Sequence, residues 1–430
     1  MEKYSNYKNS GIEWIGDIPE HWEIKRMKYL CDIGTGDKDT ENREENGKYP
    51  FYVRSQTIER ISSYSFDGEA ILTAGDGVGV CKVWHYVNEK FAYHQRVYRM
   101  SHFQNIIGKY LFYYLKENFE KEVKKLSAKS TVDSLRRPMF QNFKVCYGTA
   151  EEQISIVNYL DKKTSEIDTL IFKKKALIDL LTEELNAIIN HTITKGINLK
   201  AKLKYSGIEW IGDIPEHWGT KRIRFLFSIV KRIAGTLGFN VLSVTQKGIR
   251  LKDIESGTGQ LSMDYSKYQL VNKGDFIMNH MDLLTGYVDI SKYEGVTSPD
   301  YRVFRLQDSN NFSEYFLYHF QNCYRNKIFY PLGQGSAQVG RWRLPAINFN
   351  NFILPVPPIN EQIEICKFIK AKVEEIEIII SKTQKEIELL NEYKTALISE
   401  VVTGKVDVRG GFSLTNFYQH GKGHTHGRNF

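Results

Sequence analysis

Two stretches of the chain repeat apolar residues at alternating steps of three and four, the pattern of helices that bury one narrow face. The first seam runs from Val157 to Ile188 and the second from Cys366 to Leu397. Each seam would be about 48 Å long as a helix. If each helix packed only on its own domain, part of such a seam would stay uncovered, so we expect the two to pair as an antiparallel coiled coil. The apolar seam residues are Val157, Leu160, Ile167, Ile171, Ile178, Leu181, Leu185 and Ile188, then Ile369, Val373, Ile376, Ile380, Ile387, Leu390 and Leu397.

Short runs rich in β-branched and aromatic residues precede each helix and alternate with Gly, Asn and Asp, which is typical of strands joined by turns. Examples are EAILTA at Glu69–Ala74 and YRVFRL at Tyr301–Leu306. Aromatic stretches at Tyr110–Leu126 and Tyr315–Phe329 predict short helices beside these strands. The pattern therefore predicts an α/β fold with two similar globular domains and two long helices.

The phrase SGIEWIGDIPEHW occurs at Ser10–Trp22 and again, unchanged, at Ser206–Trp218. Later pairs such as RVYR and RVFR keep the same order, so the chain is an internal duplication with pseudo-twofold symmetry. The apolar residues, turn and proline of the phrase predict a segment that docks each domain on a helix. The predicted boundaries are 1–150 and 201–356 for the two globular domains, 151–200 and 357–409 for the helices, and 410–430 for a disordered tail rich in Gly and His.

Composition limits the class of protein. The chain has 430 residues, 59 Lys and Arg against 51 Asp and Glu, a net charge of +8 and a pI near 8.9. This balance is compatible with a polyanionic partner without requiring one. Five scattered cysteines, no long apolar run and no apolar N-terminal region predict a soluble cytoplasmic protein with reduced thiols.

Catalytic signatures are weak. GDGVG at Gly75–Gly79 and GQG at Gly333–Gly335 lack the remaining features of a dinucleotide loop, and the sequence contains no phosphate loop and no NPPY or DPPY methyltransferase motif. His420, His424 and His426 lie in the tail, away from any acidic partner, so they are poor metal ligands. We therefore predict no catalytic residue, no metal site and no cofactor bound by this chain.

Polar and basic residues interleaved with glycine occur at matching places in the two halves. Arginine pairs well with guanine, glutamine with adenine, and small residues allow close approach to phosphate. A solvated basic loop explains any one of these stretches, but their recurrence favours DNA binding. The candidates in the first half are Lys82, His94, Gln95, Arg96, Lys129, Ser130, Thr131, Arg136 and Arg137. Those in the second half are Gln246, Lys247, Arg250, Asn279, His280, Arg302, Gln334, Ser336, Gln338, Arg341 and Arg343.

With these features the chain resembles the specificity subunit of type I restriction-modification systems over almost its whole length. The resemblance rests on the repeated phrase, on LSVTQKGIR at Leu242–Arg250, on SPDYRVFRL at Ser298–Leu306 and on PPINEQ at Pro357–Gln362. The first half departs from it, with HQRVYR in place of SPDYRVF and VCYGTAEEQ in place of the proline-rich entry. The resemblance implies a non-catalytic subunit in which each target recognition domain binds half of a bipartite double-stranded DNA site. It also implies that the helices set the spacer and dock two methyltransferase subunits, that restriction and motor subunits join them, and that S-adenosylmethionine, ATP and Mg belong to those partners.

Two alternatives remain at this point. A coiled-coil adaptor with two protein-binding domains would account for the duplication and the helices equally well. An enzyme that acts on nucleic acid by itself would need a carboxylate or metal cluster, which the sequence does not reveal.

Overall fold

The computed structural model describes residues 3–126, 134–253, 265–336 and 341–411. The chain divides into two compact units. The first unit contains Met1–Lys174 and Gln384–Phe430, and the second contains Lys175–Thr383. Each long helix contributes one segment to each unit. The limits of the units therefore fall inside the helices and not at the predicted domain boundaries.

The first long helix has a capping residue at its start and a glycine after its last turn. It begins after Thr149, whose hydroxyl accepts from the Glu152 amide at 3.3 Å while the Glu152 carboxylate accepts from the Thr149 amide at 3.0 Å. This reciprocal pair satisfies amides that lack a partner within the helix. Gly196 follows the last turn at φ +75°, a conformation that glycine adopts without a Cβ clash. The helices are α1 (Gly108–Leu126), α2 (Arg137–Asn142), α3 (Ala150–Lys195), α4 (Ile223–Leu226), α5 (Ser313–Arg325), α6 (Ala346–Asn351) and α7 (Ile359–Val402).

The first unit is built on a mixed sheet. Its strands are β1 (Tyr7–Asn9), β2 (Asp17–Pro19), β3 (Glu23–Arg26), β4 (Asp32–Thr35), β5 (Tyr49–Tyr52), β6 (Ile58–Ile61), β7 (Phe66–Ala74), β8 (Trp84–Tyr93), β9 (Val97–Ser101) and β10 (Lys144–Tyr147). Within the described residues, six of these strands form one sheet in the order β4-β9-β7-β8-β5-β6. All neighbours run antiparallel except β5 and β8, which are parallel. Helix α1 buries aromatic residues in the same core as Ile71 of β7 and Met100 of β9.

The second unit has a smaller main sheet. Its strands are β11 (Leu203–Tyr205), β12 (Asp213–Pro215), β13 (Gly219–Arg222), β14 (Phe227–Val230), β15 (Leu242–Thr245), β16 (Gly248–Leu251), β17 (Gln269–Val271), β18 (Phe276–Met278), β19 (Val288–Ile290), β20 (Gly295–Thr297), β21 (Arg302–Leu306), β22 (Gln334–Ser336), β23 (Arg341–Arg343) and β24 (Ile353–Val356). Among the described residues, the main sheet has the order β14-β21-β18-β19, and the remaining strands pair two by two. Phe276, Phe304 and Phe320 pack together in its core.

The duplication is visible in matching contacts. Tyr110 is buried in the first unit, and its hydroxyl lies 2.7 Å from the Cys146 carbonyl and 2.9 Å from the Val402 carbonyl. In the second unit the hydroxyl of Tyr315 lies 3.3 Å from the Pro355 carbonyl and 3.0 Å from the Ile193 carbonyl. Each tyrosine thus joins the strand that precedes one long helix to the last turns of the other long helix.

The repeated phrase has the same structural role in both units. Trp22 is fully buried in a core that includes Leu397 and Val401 near the end of α7. Trp218 is buried in a core that includes Ile189 and Ile193 near the end of α3. Buried aromatic side chains of this size dominate core energetics. The prediction that the phrase docks each domain on a helix is therefore confirmed by its packing within each unit.

All five cysteines lie within the described residues, where they are buried and carry free thiols. Burial raises the pKa of the Cys31 and Cys81 thiols to about 12, so these groups stay protonated at neutral pH. In the part of the chain that the structure describes, every helix is too short or too polar to cross a membrane.

Candidate nucleic-acid interface

One end of the main sheet of the first unit is shaped by a tight turn between β8 and β9. The Val97 amide donates to the His94 carbonyl at 2.8 Å, which leaves Gln95 and Arg96 exposed at the centre of the turn. The His94 ring is buried, and its Nδ1 accepts from the Arg96 amide at 3.0 Å. Burial, followed by the charge of Arg54, lowers the pKa of His94. His94 therefore supports the turn as a neutral side chain, while its two neighbours face solvent.

A charged cluster lies beside this turn. Asp76 follows β7, and its carboxylate accepts from Arg54 at 3.0 Å through Oδ1 and from Arg96 at 2.5 Å through Oδ2. Partial burial raises the pKa of Asp76, but the hydrogen bonds from Arg96 and Arg54 outweigh it, so the pKa lies below its usual value. Arg54 and Asp76 are absent from the residues predicted from sequence. A basic residue directly after the predicted strand YPFYV was the one available signal for Arg54.

The loop that carries several predicted DNA contacts meets this cluster. The Leu135 amide donates to the Gly75 carbonyl at 2.7 Å, and Ser134 forms an isolated bridge with Asp76. Arg136 is exposed next to this contact. Arg137 is exposed as well, but its guanidinium donates to the Ile33 carbonyl on β4.

Lys82 is exposed in the segment between β7 and β8, and its carbonyl accepts from the Gln56 side chain at 3.1 Å. The structure therefore brings Lys82, Gln95, Arg96 and Arg136 to the segments around the end of β7. Lys129, Ser130 and Thr131 lie outside the described residues.

The second unit joins two predicted stretches in the same manner. The Leu344 amide donates to the His280 carbonyl at 2.8 Å, and the Leu283 amide donates to the Trp342 carbonyl at 3.1 Å. These bonds tie the loop after β18 to the β22–β23 hairpin. In that hairpin Gln334 pairs with Arg343, and both are exposed.

Four further predicted residues belong to this region: Asn279, Ser336, Gln338 and Arg341. Asn279 is half-buried, and its carbonyl accepts from the Tyr324 hydroxyl at 2.7 Å. Ser336 and Arg341 are backbone partners across the hairpin, but their side chains lie outside the described part of the structure, as does the whole of Gln338.

Arg302 is a correction to the predicted interface. It is the counterpart of Arg96 in the repeated RV[FY]R motif, yet only 5% of its surface is exposed. Its guanidinium donates to the Leu344 carbonyl at 2.9 Å and lies 4.6 Å from the centre of the Phe349 ring. Burial lowers its pKa to about 10. Arg302 therefore packs in the core beneath the loop, where the Leu344 carbonyl and the Phe349 ring contact its guanidinium and its Nη1 has no hydrogen-bond partner among the described residues.

His280 is half-buried beside this arginine. Burial, and then the positive charge of Arg302, lowers its pKa to about 4. The ring is therefore neutral at physiological pH and offers a hydrogen bond without a charge.

The β15–β16 hairpin projects Gln246 and Lys247 at its turn, and both are exposed. Gly248 completes the turn at φ +95°, where a Cβ would lie 2.7 Å from the Asp289 carboxylate. That carboxylate accepts from the Ile249 amide at 3.1 Å, which holds the hairpin on β19. Arg250 is exposed on β16.

Each predicted seam position of the long helices is buried or half-buried. Two polar seam residues satisfy their hydroxyls locally: Thr164 donates to the Leu160 carbonyl at 2.7 Å and Thr383 to the Ile379 carbonyl at 2.8 Å. The buried seam residues are Val157, Leu160, Ile167, Ile171, Ile369, Ile376 and Leu397. The half-buried ones are Ile178, Leu181, Leu185, Ile188, Val373, Ile380, Ile387 and Leu390.

Two ion pairs join the helices inside the first unit. Lys394 contacts Asp168 at 2.6 Å, and Lys174 contacts Glu386 at 2.5 Å. From Asp168 to Lys174 the residue numbers rise along α3, whereas those of their partners on α7 fall from 394 to 386. These two segments therefore run antiparallel. Among the residues that the structure describes, His, Cys, Asp and Glu side chains form no group suited to a metal ion. The tail histidines His420, His424 and His426 lie outside that part.

Comparison with known proteins gives a consistent result. The family model described as Type I restriction modification DNA specificity domain matches residues 19–179 and 249–389. The Type I restriction enzyme EcoDI specificity subunit of Escherichia coli is 21% identical, covering 91% of this chain and 90% of its own.

Two solved structures have a similar fold. A chain from a structure concerning complex assembly and conformational transition of the type I R-M system has a TM-score of 0.60 and 11% identity, covering 90% of this chain and 99% of its own. The HsdS subunit of Thermoanaerobacter tengcongensis has a TM-score of 0.50 and 11% identity, covering 93% of this chain and 100% of its own.

Proposed function

Because the chain belongs to the family of type I restriction-modification DNA specificity domains, we propose that it is a specificity subunit whose two globular domains each bind half of a bipartite, asymmetric DNA sequence. The observation that carries this proposal is a contrast between the domains. Their frames match, down to the hydrogen bonds of Tyr110 and Tyr315. Their exposed polar residues differ, with Gln95 and Arg96 at a turn in the first domain and Gln334 and Arg343 on paired strands in the second. Two domains with one frame and different polar loops are suited to two different DNA sequences.

The exposed side chains fit both parts of DNA recognition. Lysines such as Lys82 and Lys247 supply charge to phosphates, which gives affinity with little dependence on sequence. Arg96 and Arg343 have the planar fork that pairs with the O6 and N7 atoms of guanine, and Gln95 and Gln246 fit the N6 and N7 atoms of adenine. Such contacts distinguish one sequence from another.

The second part of the proposal concerns the helices. We infer that α3 and α7 form an antiparallel coiled coil that sets the spacer between the half-sites. Support comes from the buried seam and from the ion pairs that Asp168 and Glu386 make across the helices in the first unit. A continuous coiled coil would act as a rigid spacer, so its length would determine how many unread base pairs separate the half-sites.

We further propose that the subunit is not itself an enzyme and acts in the cytoplasm. Two methyltransferase subunits would dock on it, and restriction and motor subunits would complete the complex. S-adenosylmethionine, ATP and Mg would then be bound by those partners. The relative from Escherichia coli, whose name is that of a specificity subunit, supports this division of labour.

The test is selection from a random duplex pool by the full chain assembled with its methyltransferase subunits. The proposal expects an enriched sequence in two parts with a fixed spacer, and methylation of that sequence when S-adenosylmethionine is added. Exchanging residues 201–356 for the equivalent domain of a related subunit should change one part and leave the other unchanged. A complex that assembles and enriches no sequence would instead favour the coiled-coil adaptor, and methyl transfer by the chain alone would contradict the non-catalytic assignment.

A further inference from the structure

The cluster of Arg54, Asp76 and Arg96 brings together residues that are far apart in the sequence. Arg54 follows β5, Asp76 follows β7 and Arg96 precedes β9. One carboxylate accepts from both guanidinium groups, through Oδ1 at 3.0 Å and through Oδ2 at 2.5 Å. Two like charges are thereby held close together by one opposite charge, and the carboxylate of Asp39 is near enough to act on both arginines as well.

The carboxylate is the fixed member of this cluster. The side chain of Asp76 is 20% exposed, against 43% for Arg54 and 60% for Arg96. Its backbone is held by the bridge to Ser134, and the preceding amide, of Gly75, donates to the Arg96 carbonyl at 2.8 Å. A free arginine side chain loses rotamer entropy when it is ordered. A fixed acceptor lowers this cost before any ligand arrives.

Each guanidinium retains free donors in this arrangement. An arginine carries five N–H groups in a rigid plane, and one contact to Asp76 leaves most of them for a second partner. A phosphate accepts either a fork or a point charge such as that of lysine, whereas guanine requires a fork in a defined orientation. The fixed pair is therefore better suited to a base edge than to the DNA backbone.

We propose that Asp76 is a positioning residue that holds Arg54 and Arg96 as a pair of guanine-reading groups for the first half-site. This assignment rests on the proposed function and adds two residues to the predicted interface. Discrimination of the first half-site would then depend on Arg54, Asp76 and Arg96 acting together, and not on each arginine separately.

The second unit has a different arrangement at the matching place. Asp282 follows β18 as Asp76 follows β7, but its carboxylate accepts from the amides of Leu284 and Thr285 and from the Thr285 hydroxyl. Arg302, the counterpart of Arg96, is buried. Asp282 and Arg302, which are both described, therefore do not form the contact that Asp76 makes with Arg96, as expected if that contact reads a sequence specific to the first domain.

The test uses the full chain with its methyltransferase subunits and a duplex enriched from a random pool by the wild-type complex. Discrimination is the ratio of affinities for this duplex and for duplexes with single substitutions in the first half-site. Asp76→Asn should lower this ratio roughly tenfold at one or two G·C pairs. Affinity for a fully scrambled duplex should stay equal or rise, because a negative charge has been removed. Asp76→Glu should restore part of the ratio, and Arg54→Lys or Arg96→Lys should lower it, since lysine keeps the charge without the fork.

Asp282→Asn is the matched control and should leave discrimination of the first half-site unchanged. A purely structural role of Asp76 would weaken binding to matched and scrambled duplexes alike, and that result would overturn the assignment. It would also be overturned if Asp76→Asn discriminated like the wild type. If the wild-type complex enriched no duplex, the proposed function would be contradicted. The role of Asp76, which rests on that function, would then be contradicted as well.

Discussion

The hydroxyl of Tyr110 lies 2.9 Å from the carbonyl oxygen of Val402, which is 292 positions further along the chain. The tyrosine is fully buried, and burial raises the pKa of its hydroxyl well above the usual value, so the group stays a hydrogen-bond donor. It shares its proton between the Val402 carbonyl and the Cys146 carbonyl at 2.7 Å. One side chain therefore links the strand that precedes the first long helix to the end of the second long helix within the first unit.

Removing this hydroxyl should destabilise the protein. Tyr110→Phe removes the hydroxyl that bonds two buried carbonyl groups, which should lower the free energy of unfolding by about 1 to 3 kcal/mol. Urea denaturation of the full chain at neutral pH measures the change. Tyr29→Phe is the control, because Tyr29 is 61% exposed and should have almost no effect. Equal stability of the two variants would show that the buried hydroxyl contributes nothing net.

The helical seam gives a second prediction. Ile376 is 5% exposed, whereas Ile378 on the same helix is 48% exposed. Ile376→Asp removes buried apolar surface and introduces an unpaired charge, so unfolding should become easier by about 3 kcal/mol or more. Ile378→Asp should change stability by less than about 0.5 kcal/mol. Thermal unfolding of the isolated chain measures both, and an unaffected Ile376→Asp variant would mean that the seam is not buried.

Arg343 and Arg302 of the second unit should respond in opposite ways. Arg343→Ala removes an exposed side chain and should weaken binding of the second half-site by about 1 to 3 kcal/mol with little change in melting temperature. Arg302→Ala removes a buried hydrogen bond and a ring contact, so it should lower stability by about 2 kcal/mol. Competition binding and thermal unfolding, measured on both variants, separate the two roles. If Arg343→Ala weakened both half-sites equally, the residue would be a phosphate contact.

Acid should destabilise the protein through His319. This side chain is fully buried, and burial lowers its pKa to about 3 against an ordinary value near 6.5. Between those values the unfolded chain binds a proton that the folded chain does not, so stability falls as pH drops from about 6.5 towards 3. The loss over this range should be on the order of a few kcal/mol.

His319→Tyr should reduce this pH dependence, because tyrosine does not bind a proton in this pH range. Tyrosine is chosen because the equivalent position on α1 holds Tyr114. Unfolding by urea at pH 7 and at pH 4.5 gives the measurement. His191→Gln, at an exposed position of the same unit, is the comparison and should keep the wild-type slope. An unchanged slope in His319→Tyr would mean that other groups carry the acid sensitivity.

The family and the frame were predictable because they depend on local patterns. The repeated phrase and the SPDYRVFRL run predicted a type I specificity subunit, and the family model confirms it. The mixed α/β fold in two domains was likewise predicted and agrees with the solved structures. Helix α3 was expected over 151–200 and extends over Ala150–Lys195, since apolar spacing defines a helix better than its ends.

The candidate interface was harder to predict because it depends on contacts that are distant in sequence. Arg96 and Arg302 occupy the same place in nearly identical motifs, yet one is exposed and the other buried. The difference arises from Phe349 and the Leu344 carbonyl, which provide Arg302 with buried partners. Arg54 was missed because its partner Asp76 is 22 positions away in the sequence.

The division of the chain into units has a consequence for synthesis on the ribosome. The second unit, Lys175–Thr383, is complete before the last part of the first unit, Gln384 onward, has been made. At about 5 to 20 residues per second, the surface around Trp22 and Tyr110 would wait on the order of ten to fifty seconds for the end of α7. A chain whose translation stops early therefore lacks part of its first core, and its exposed aromatic residues mark it for chaperones and proteases. The first unit can therefore be completed only after the second has been synthesised.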